Sequence, residues 1–219
     1  GRFTAHKSMW PSGKATGFVS GYYPGEAIFA LMRLYAIDQD KRWLQCAQRS
    51  THYLYTVRDA DVPVARRLPD HWLLYGLNEL QRAAPNDSYL DHARITAQSI
   101  RLPQNIKPPW PNWLGGYDVP PRSTPTATRT EGLIAAYHLL RDSGGSAQEL
   151  AVIFKAAQMG AQFDLRCQVR PAWAMYFADP QRCLGAVSER LDKSGLRIDY
   201  AQHAISAWLG MAKLLRKAP

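Results

Sequence analysis

The spacing of helix-forming segments along this 219-residue chain limits its fold more than any other feature. Strand-like alternation is scarce, and apolar residues recur with the period of an amphipathic helix in several windows. The predicted windows are 24–37, 41–57, 69–83, 88–101, 128–140, 147–165 and 199–217. Short turns join windows into pairs, whereas long segments rich in Pro and Gly join one pair to the next. Because short connections force helices to be antiparallel, we predict a single all-α domain over 1–219, made of repeated antiparallel hairpins.

The first helices of the pairs share one pattern, a polar start followed by an apolar core. The four copies read PGEAIFALMRLY, PDHWLLYGLNEL, TRTEGLIAAYHLL and DYAQHAISAWLGM. This alternation resembles the (α/α) toroids, the six-hairpin glycosidases and their epimerase and lyase relatives, over nearly the whole chain. The resemblance implies that the first helices line a ring and that the loops before them form the substrate-binding mouth.

The number of hairpins departs from that family pattern. The chain holds about three and a half hairpins instead of six. We therefore expect a partial (α/α) toroid with about seven main helices, either open or completed by a larger parent chain or a partner. The alternative is an α-solenoid, although solenoid repeats are usually more even in length.

Composition narrows the class of partner. Hydrophobic residues make up 46% and charged residues 21% of the chain, which is typical of a folded domain. The net charge is +9, and 19 of the 27 basic residues are Arg, whose flat guanidinium suits carboxylates and phosphates. The basic residues are spread among loops, without the run or recognition helix of a nucleic-acid binder. We therefore expect an anionic polysaccharide or oligosaccharide as the partner, and nucleic acid is disfavoured. The sequence contains no apolar run long enough for a transmembrane segment, so we expect none.

Acidic and histidine side chains gather where the first helices begin. The candidate catalytic residues are Glu26, Asp70, Glu131, Asp199 and His203. Paired carboxylates near aromatic rings suit glycoside cleavage. A base near a carboxylate-neutralising Arg or His would instead suit uronate epimerisation or elimination. We predict a carbohydrate-active domain, with hydrolysis ahead of epimerase or lyase chemistry. The alternative is a non-catalytic helical-repeat module that binds glycan or a protein partner in a polysaccharide or envelope assembly.

Each carboxylate also has a purely structural interpretation. Thr128 and Glu131 have the spacing of a capping box, which would explain Glu131 without any substrate. Asp199 can cap the last helix, and Asp70 and Glu26 suit first turns, where the helix dipole favours negative charge. These alternatives predict four well-capped helices instead of a reaction centre.

Histidines at helix starts are harder to explain structurally, because the dipole there disfavours their charged form. Asp199 and His203 are four residues apart, so they share one helix face and could form an oriented acid–base pair. A buried core histidine is the alternative for His71 and for His203.

Aromatic and arginine residues at helix starts and in the long loops complete the predicted site. The candidate substrate-binding residues are Tyr23, His71, Trp72, Trp113, Arg122, Arg129, Trp173 and Arg197. Aromatic rings suit stacking on sugars and Arg suits anionic groups. The segment 108–113, PPWPNW, could also simply pack on itself as a hydrophobic plug.

The remaining motifs mainly exclude function classes. The spacing of the three cysteines, Cys46, Cys167 and Cys183, does not match that of metal ligands, so we expect structural thiols and no metal. We also expect no cofactor. A disulfide between Cys167 and Cys183 would require an extracytoplasmic location. The patterns of metalloproteases, esterases, NTPases and dehydrogenases are absent from the sequence. The start at Gly1 suggests a processed product or an excised part of a longer chain. The compartment stays unassigned, with an extracytoplasmic or cell-envelope location the nearest fit.

Overall fold

Helices dominate the computed structural model, which describes residues 1–216. The helices are α1 (Tyr23–Asp38), α2 (Lys41–Tyr53), α3 (His71–Ala83), α4 (Asp87–Arg101), α5 (Ser123–Asp142), α6 (Ala147–Arg166), α7 (Pro171–Ala174), α8 (Pro180–Cys183) and α9 (Ile198–Leu215). A π-helical turn, Leu54–Arg58, follows α2, and 3₁₀ turns cover Val64–Arg66 and Pro111–Trp113. Strands β1 (Ser188–Arg190) and β2 (Lys193–Leu196) form an antiparallel hairpin. The predicted all-α class is confirmed.

The first helices of the pairs pack side by side in the order α1, α3, α5 and α9. Each of α2, α4 and α6 packs against the helix before it, α4 also contacts α5, and α6 also contacts α9. Apolar side chains of the first helices and of α2, α4 and α6 together form the main core. Ile28, Leu74, Leu77 and Leu133 are fully buried in it. The row of first helices positions the site, because neighbouring helix starts meet at one end of it.

Glycines allow the first helices to approach closely. A Cβ on Gly25 of α1 would lie 2.6 Å from the Asp70 carboxylate oxygens and 2.7 Å from the Leu73 nitrogen. A Cβ on Gly132 of α5 would lie 3.1 Å from the Cβ of His71. The start of α3 is therefore held tightly between α1 and α5.

Helix α5 begins at Ser123, so the predicted start near residue 128 was wrong. Pro125 falls in the first turn, where a backbone N–H has no partner within the helix and its loss costs little. Thr128 consequently lies inside the helix, where its hydroxyl donates to the Thr124 carbonyl at 3.0 Å. The predicted capping box between Thr128 and Glu131 is not formed.

The segment 166–197, predicted to be irregular, contains α7, α8 and the β-hairpin. The buried Ser123 hydroxyl donates to the Ser188 carbonyl at 2.7 Å, which ties this segment to the start of α5. Helix α9 follows at Ile198 with Arg197 as its N-cap residue, one position earlier than predicted. The last residue of the predicted window, 217, lies outside the described residues.

The three cysteines are free thiols, as predicted. Burial raises the pKa of the Cys167 thiol far above its ordinary value, and the nearby Asp164 carboxyl adds to the rise. Cys167 therefore behaves as an apolar core residue. Along residues 1–216, every helix is too short or too polar to cross a membrane.

Candidate active site at the helix starts

A hydrogen bond joins His203 of α9 to Glu131 of α5. The Nδ1 of His203 lies 2.9 Å from the Oε2 of Glu131, although the two residues are 72 positions apart in the sequence. Both side chains are largely buried, at 14% and 6% exposure. An ionised carboxylate can only accept, so Nδ1 carries the hydrogen and the lone pair of a neutral ring stays on Nε2. The pair has the arrangement of an oriented acid–base group.

His71, the first residue of α3, faces this pair. Its ring meets the ring of His203 edge to face, with centroids 5.8 Å apart. Burial, together with the nearby His203 and Arg129, lowers the pKa of His71 to about 3. Neither of its ring nitrogens has a hydrogen-bond partner within residues 1–216. His71 thus presents a neutral, unsatisfied imidazole to the cluster.

Aromatic rings lie beside the three polar side chains. The ring centroid of His71 is 5.0 Å from that of Trp72 and 6.1 Å from that of Tyr22. Trp72 also packs on Tyr75 and Phe29, at 5.9 and 6.1 Å. Tyr22 is exposed and Trp72 is partly exposed, so both rings are accessible to a ligand beside the cluster.

Arg129 supplies a cation at the same end of the row. Its guanidinium lies over the Tyr117 ring, 4.9 Å from the centroid, and 3.7 Å from Asp118. Burial raises the pKa of the Tyr22 hydroxyl, and Arg129 opposes that rise, so its charge reaches the site. The buried Nε of Arg129 lacks a partner among the described residues.

Sequence reasoning missed Asp164 on α6. The residue is fully buried, and burial raises the pKa of its carboxyl well above the usual range, with Glu131 adding to the rise. Burial therefore favours the uncharged form of this carboxyl. The available signal was an acidic residue inside the apolar window 159–165.

Of the five predicted catalytic residues, the structure brings together Glu131 and His203. Glu26 is exposed on the first turn of α1. Asp70 caps α3, where its Oδ1 accepts from the Leu73 N–H at 3.0 Å, and burial raises its pKa to about 7. Asp199 pairs with Arg197 at 2.9 Å. The predicted Asp199–His203 pair is replaced by the bond between His203 and Glu131.

Three predicted substrate-binding residues, His71, Trp72 and Arg129, lie at this cluster. The others make contacts elsewhere: Tyr23 with Phe3, Trp113 within a 3₁₀ turn, Trp173 with Phe177, Arg122 with Asp118, and Arg197 with Tyr200 and Asp199. The long loops thus supply fewer residues than expected. His71 and Trp72 begin α3, whereas Arg129 and Glu131 lie in the second and third turns of α5 and His203 lies in the second turn of α9.

Comparison with known proteins gives no match to a family model, to a curated protein or to a solved structure.

Proposed function

We propose that this domain acts on an anionic polysaccharide or oligosaccharide, with His203 and Glu131 as the proton-transferring pair. The observation that carries the proposal is the 2.9 Å hydrogen bond between them, beside aromatic rings and a largely buried Arg129. The net charge of +9 favours an anionic substrate. The row of first helices is, in this proposal, part of a toroid whose mouth receives the sugar.

The arrangement favours proton abstraction beside a carboxylate over glycoside hydrolysis. Hydrolysis uses two carboxylic groups on either side of the scissile bond. Here Asp70 is a helix cap, Asp199 is ion-paired on the surface, and Glu131 is bonded to His203. Uronate epimerisation or elimination needs one base and one cation, which the site offers. We therefore place hydrolysis second.

The roles follow from the geometry. Glu131 accepts from Nδ1–H and stabilises the imidazolium that forms when Nε2 removes the proton from the sugar carbon next to its carboxylate. Arg129 faces that carboxylate, onto which the electron pair delocalises. A proton delivered from solvent to the opposite face of that carbon completes epimerisation, and His203 releases the proton that it removed to solvent. Expulsion of the neighbouring oxygen substituent, with its bonding electrons, completes elimination and leaves a carbon–carbon double bond.

A second candidate is a non-catalytic module within a larger assembly. The helices at the two ends of the row expose apolar side chains: Leu34 and Ile37 on α1, and Ile205 and Leu209 on α9. Surfaces of this kind suit a further segment or partner that completes a ring. The module would bind glycan without changing it.

One assay separates these outcomes. The protein is incubated in D₂O with uronic-acid oligosaccharides, and three products are followed in parallel. Deuterium at the carbon beside the carboxylate reports epimerisation, ultraviolet absorbance of an unsaturated uronate reports elimination, and new reducing ends without that absorbance report hydrolysis. We expect one of the first two products. Binding without any product across a panel of uronic acids would support the module instead.

A further inference from the structure

We infer that His71, Glu131 and His203 also form a binding site for a divalent transition-metal ion, with Zn²⁺ the best fit. Each residue offers one ligand atom, and the three atoms lie within 4.8 Å of one another. Two imidazoles and a carboxylate are a ligand set typical of zinc sites that keep a position open. The residues come from α3, α5 and α9, so the packing of the row builds the site.

The distances are close to those that a bound ion requires. Two atoms that bind one Zn²⁺ ion at about 2.0 to 2.2 Å in tetrahedral geometry lie about 3.3 to 3.6 Å apart. The Oε2 of Glu131 and the Nδ1 of His203 are 2.9 Å apart, so they would separate by about 0.5 Å, and Nδ1 can bind the ion once its hydrogen has moved to Nε2. A movement of up to about 1.5 Å by the His71 ring closes the remaining gap. Gly132 lies against the Cα and Cβ of His71, and Trp72 packs against its ring, so both hold the side chain near this position.

The second observation is the unsatisfied state of His71. The residue is 5% exposed, and its two ring nitrogens find no hydrogen-bond partner in the part of the chain that the structure describes. A buried imidazole without partners is costly, and a metal ion would satisfy one of its nitrogens. Glu131 brings the negative charge that a cation needs. The nearby positive charge of Arg129 is partly offset by Asp118, at 3.7 Å.

Occupancy by a metal ion has a consequence that rests on the proposed function. A neutral imidazole has one lone pair, and coordination to a metal uses it. A bound ion would therefore prevent His203 from taking a proton from the sugar. We infer that the metal inhibits the proposed reaction. Metal binding itself does not depend on any sugar.

Binding is measured first, without sugar. The protein is treated with a chelator, then titrated with Co²⁺ by visible absorption, and Co²⁺ is displaced with Zn²⁺. We expect one ion per chain, and a loss of affinity of more than about 100-fold in His71→Phe and Glu131→Gln. The exposed His52→Gln is the control and should bind like the unaltered protein. Equal affinity in all four proteins would overturn the site.

X-ray absorption of the unaltered protein loaded with zinc provides a test that does not depend on variants folding. We expect two imidazole ligands among nitrogen and oxygen neighbours, and zero or one imidazole would contradict the assignment. In the sugar assay, Zn²⁺ should suppress the reaction and chelator should restore it. A reaction that zinc accelerates would overturn the inhibitory role. Zinc binding in a protein that leaves every sugar unchanged would refute only the proposed function.

Discussion

The carboxylate of Asp70 lies directly against Gly25, so that a Cβ at position 25 would come within 2.6 Å of both carboxylate oxygens. The same atom would lie 2.7 Å from the backbone nitrogen of Leu73, which Asp70 caps. Side chain and backbone of α3 are therefore both in contact with this turn of α1. The absence of a side chain at Gly25 sets the distance between the two helices.

Gly25→Ala should therefore destabilise the protein. The backbone of α1 or α3 must shift to admit the methyl group, and such overpacking costs about 1 to 3 kcal/mol. Gly17→Ala is the matched control, because a Cβ there meets nothing within 4 Å. The measurement is the free energy of unfolding by denaturant. Equal stability of the two variants would show that α1 and α3 are less tightly packed than described.

Asp70 should make stability depend on pH. Its pKa is raised by burial to about 7 in the folded protein, against 3.8 for an ordinary Asp. Between these values the unfolded chain loses the proton and the folded chain keeps it. The contribution of Asp70 to the free energy of unfolding is therefore complete below about pH 4. It declines as the pH rises through 7, by up to roughly 4 kcal/mol.

Asp70→Asn tests this dependence, because it keeps a capping oxygen but cannot ionise. We expect similar unfolding free energies for both proteins at pH 4, and the variant to be the more stable at pH 8. Matching pH profiles for the two proteins would refute the raised pKa.

The fold was predictable from the sequence where it depended on local pattern. Short and long connections gave the hairpins, and the start of α6 at Ala147 matches its predicted window. The start of α5 was not predictable in this way, because residues 123–128, STPTAT, lack the apolar periodicity that marks the rest of the helix.

The candidate site was only partly predictable. Glu131 and His203 could be chosen because polar residues at parallel helix starts converge. Their pairing could not, since it depends on how α5 and α9 pack, and Asp199 offered a nearer partner at helical spacing. Asp164 was missed because it lies deep in α6, away from any helix start.

Glu131 should be needed for chemistry, while its amide analogue preserves the fold. Glu131→Ala removes a charged hydrogen-bond acceptor from a buried pair, at a cost of about 1 to 3 kcal/mol of stability. Glu131→Gln keeps an acceptor for His203 but cannot stabilise the imidazolium, so turnover should fall about 100-fold or more with little change in the melting temperature. Full activity of Glu131→Gln would reduce Glu131 to a structural role.

Arg129 should select anionic sugars. Its loss removes a charged hydrogen bond to the substrate carboxylate, so Arg129→Ala should weaken binding of a uronic-acid oligosaccharide by about 10-fold or more. Binding of a neutral oligosaccharide of equal length should change little. Arg122→Ala is the control, because that exposed Arg also pairs with Asp118.

Salt provides an independent check on the same titrations. The preference for the anionic ligand should shrink as salt rises, because exposed charges are screened over about 8 to 10 Å at physiological ionic strength. Equal affinity for both ligands at every salt concentration would show that the positive charge is a general surface property, and that the anionic-sugar proposal is wrong.

The most direct test of the central claim is hydrogen exchange at the sugar carbon beside the carboxylate, measured by NMR in D₂O with His203→Gln and the unaltered protein. If His203 is the base, the unaltered protein exchanges that hydrogen, and the variant does so at least about 100-fold more slowly while still binding the oligosaccharide. His52→Gln, an exposed histidine variant on α2, should exchange at the full rate. Equal exchange rates for His203→Gln and the unaltered protein would contradict the account.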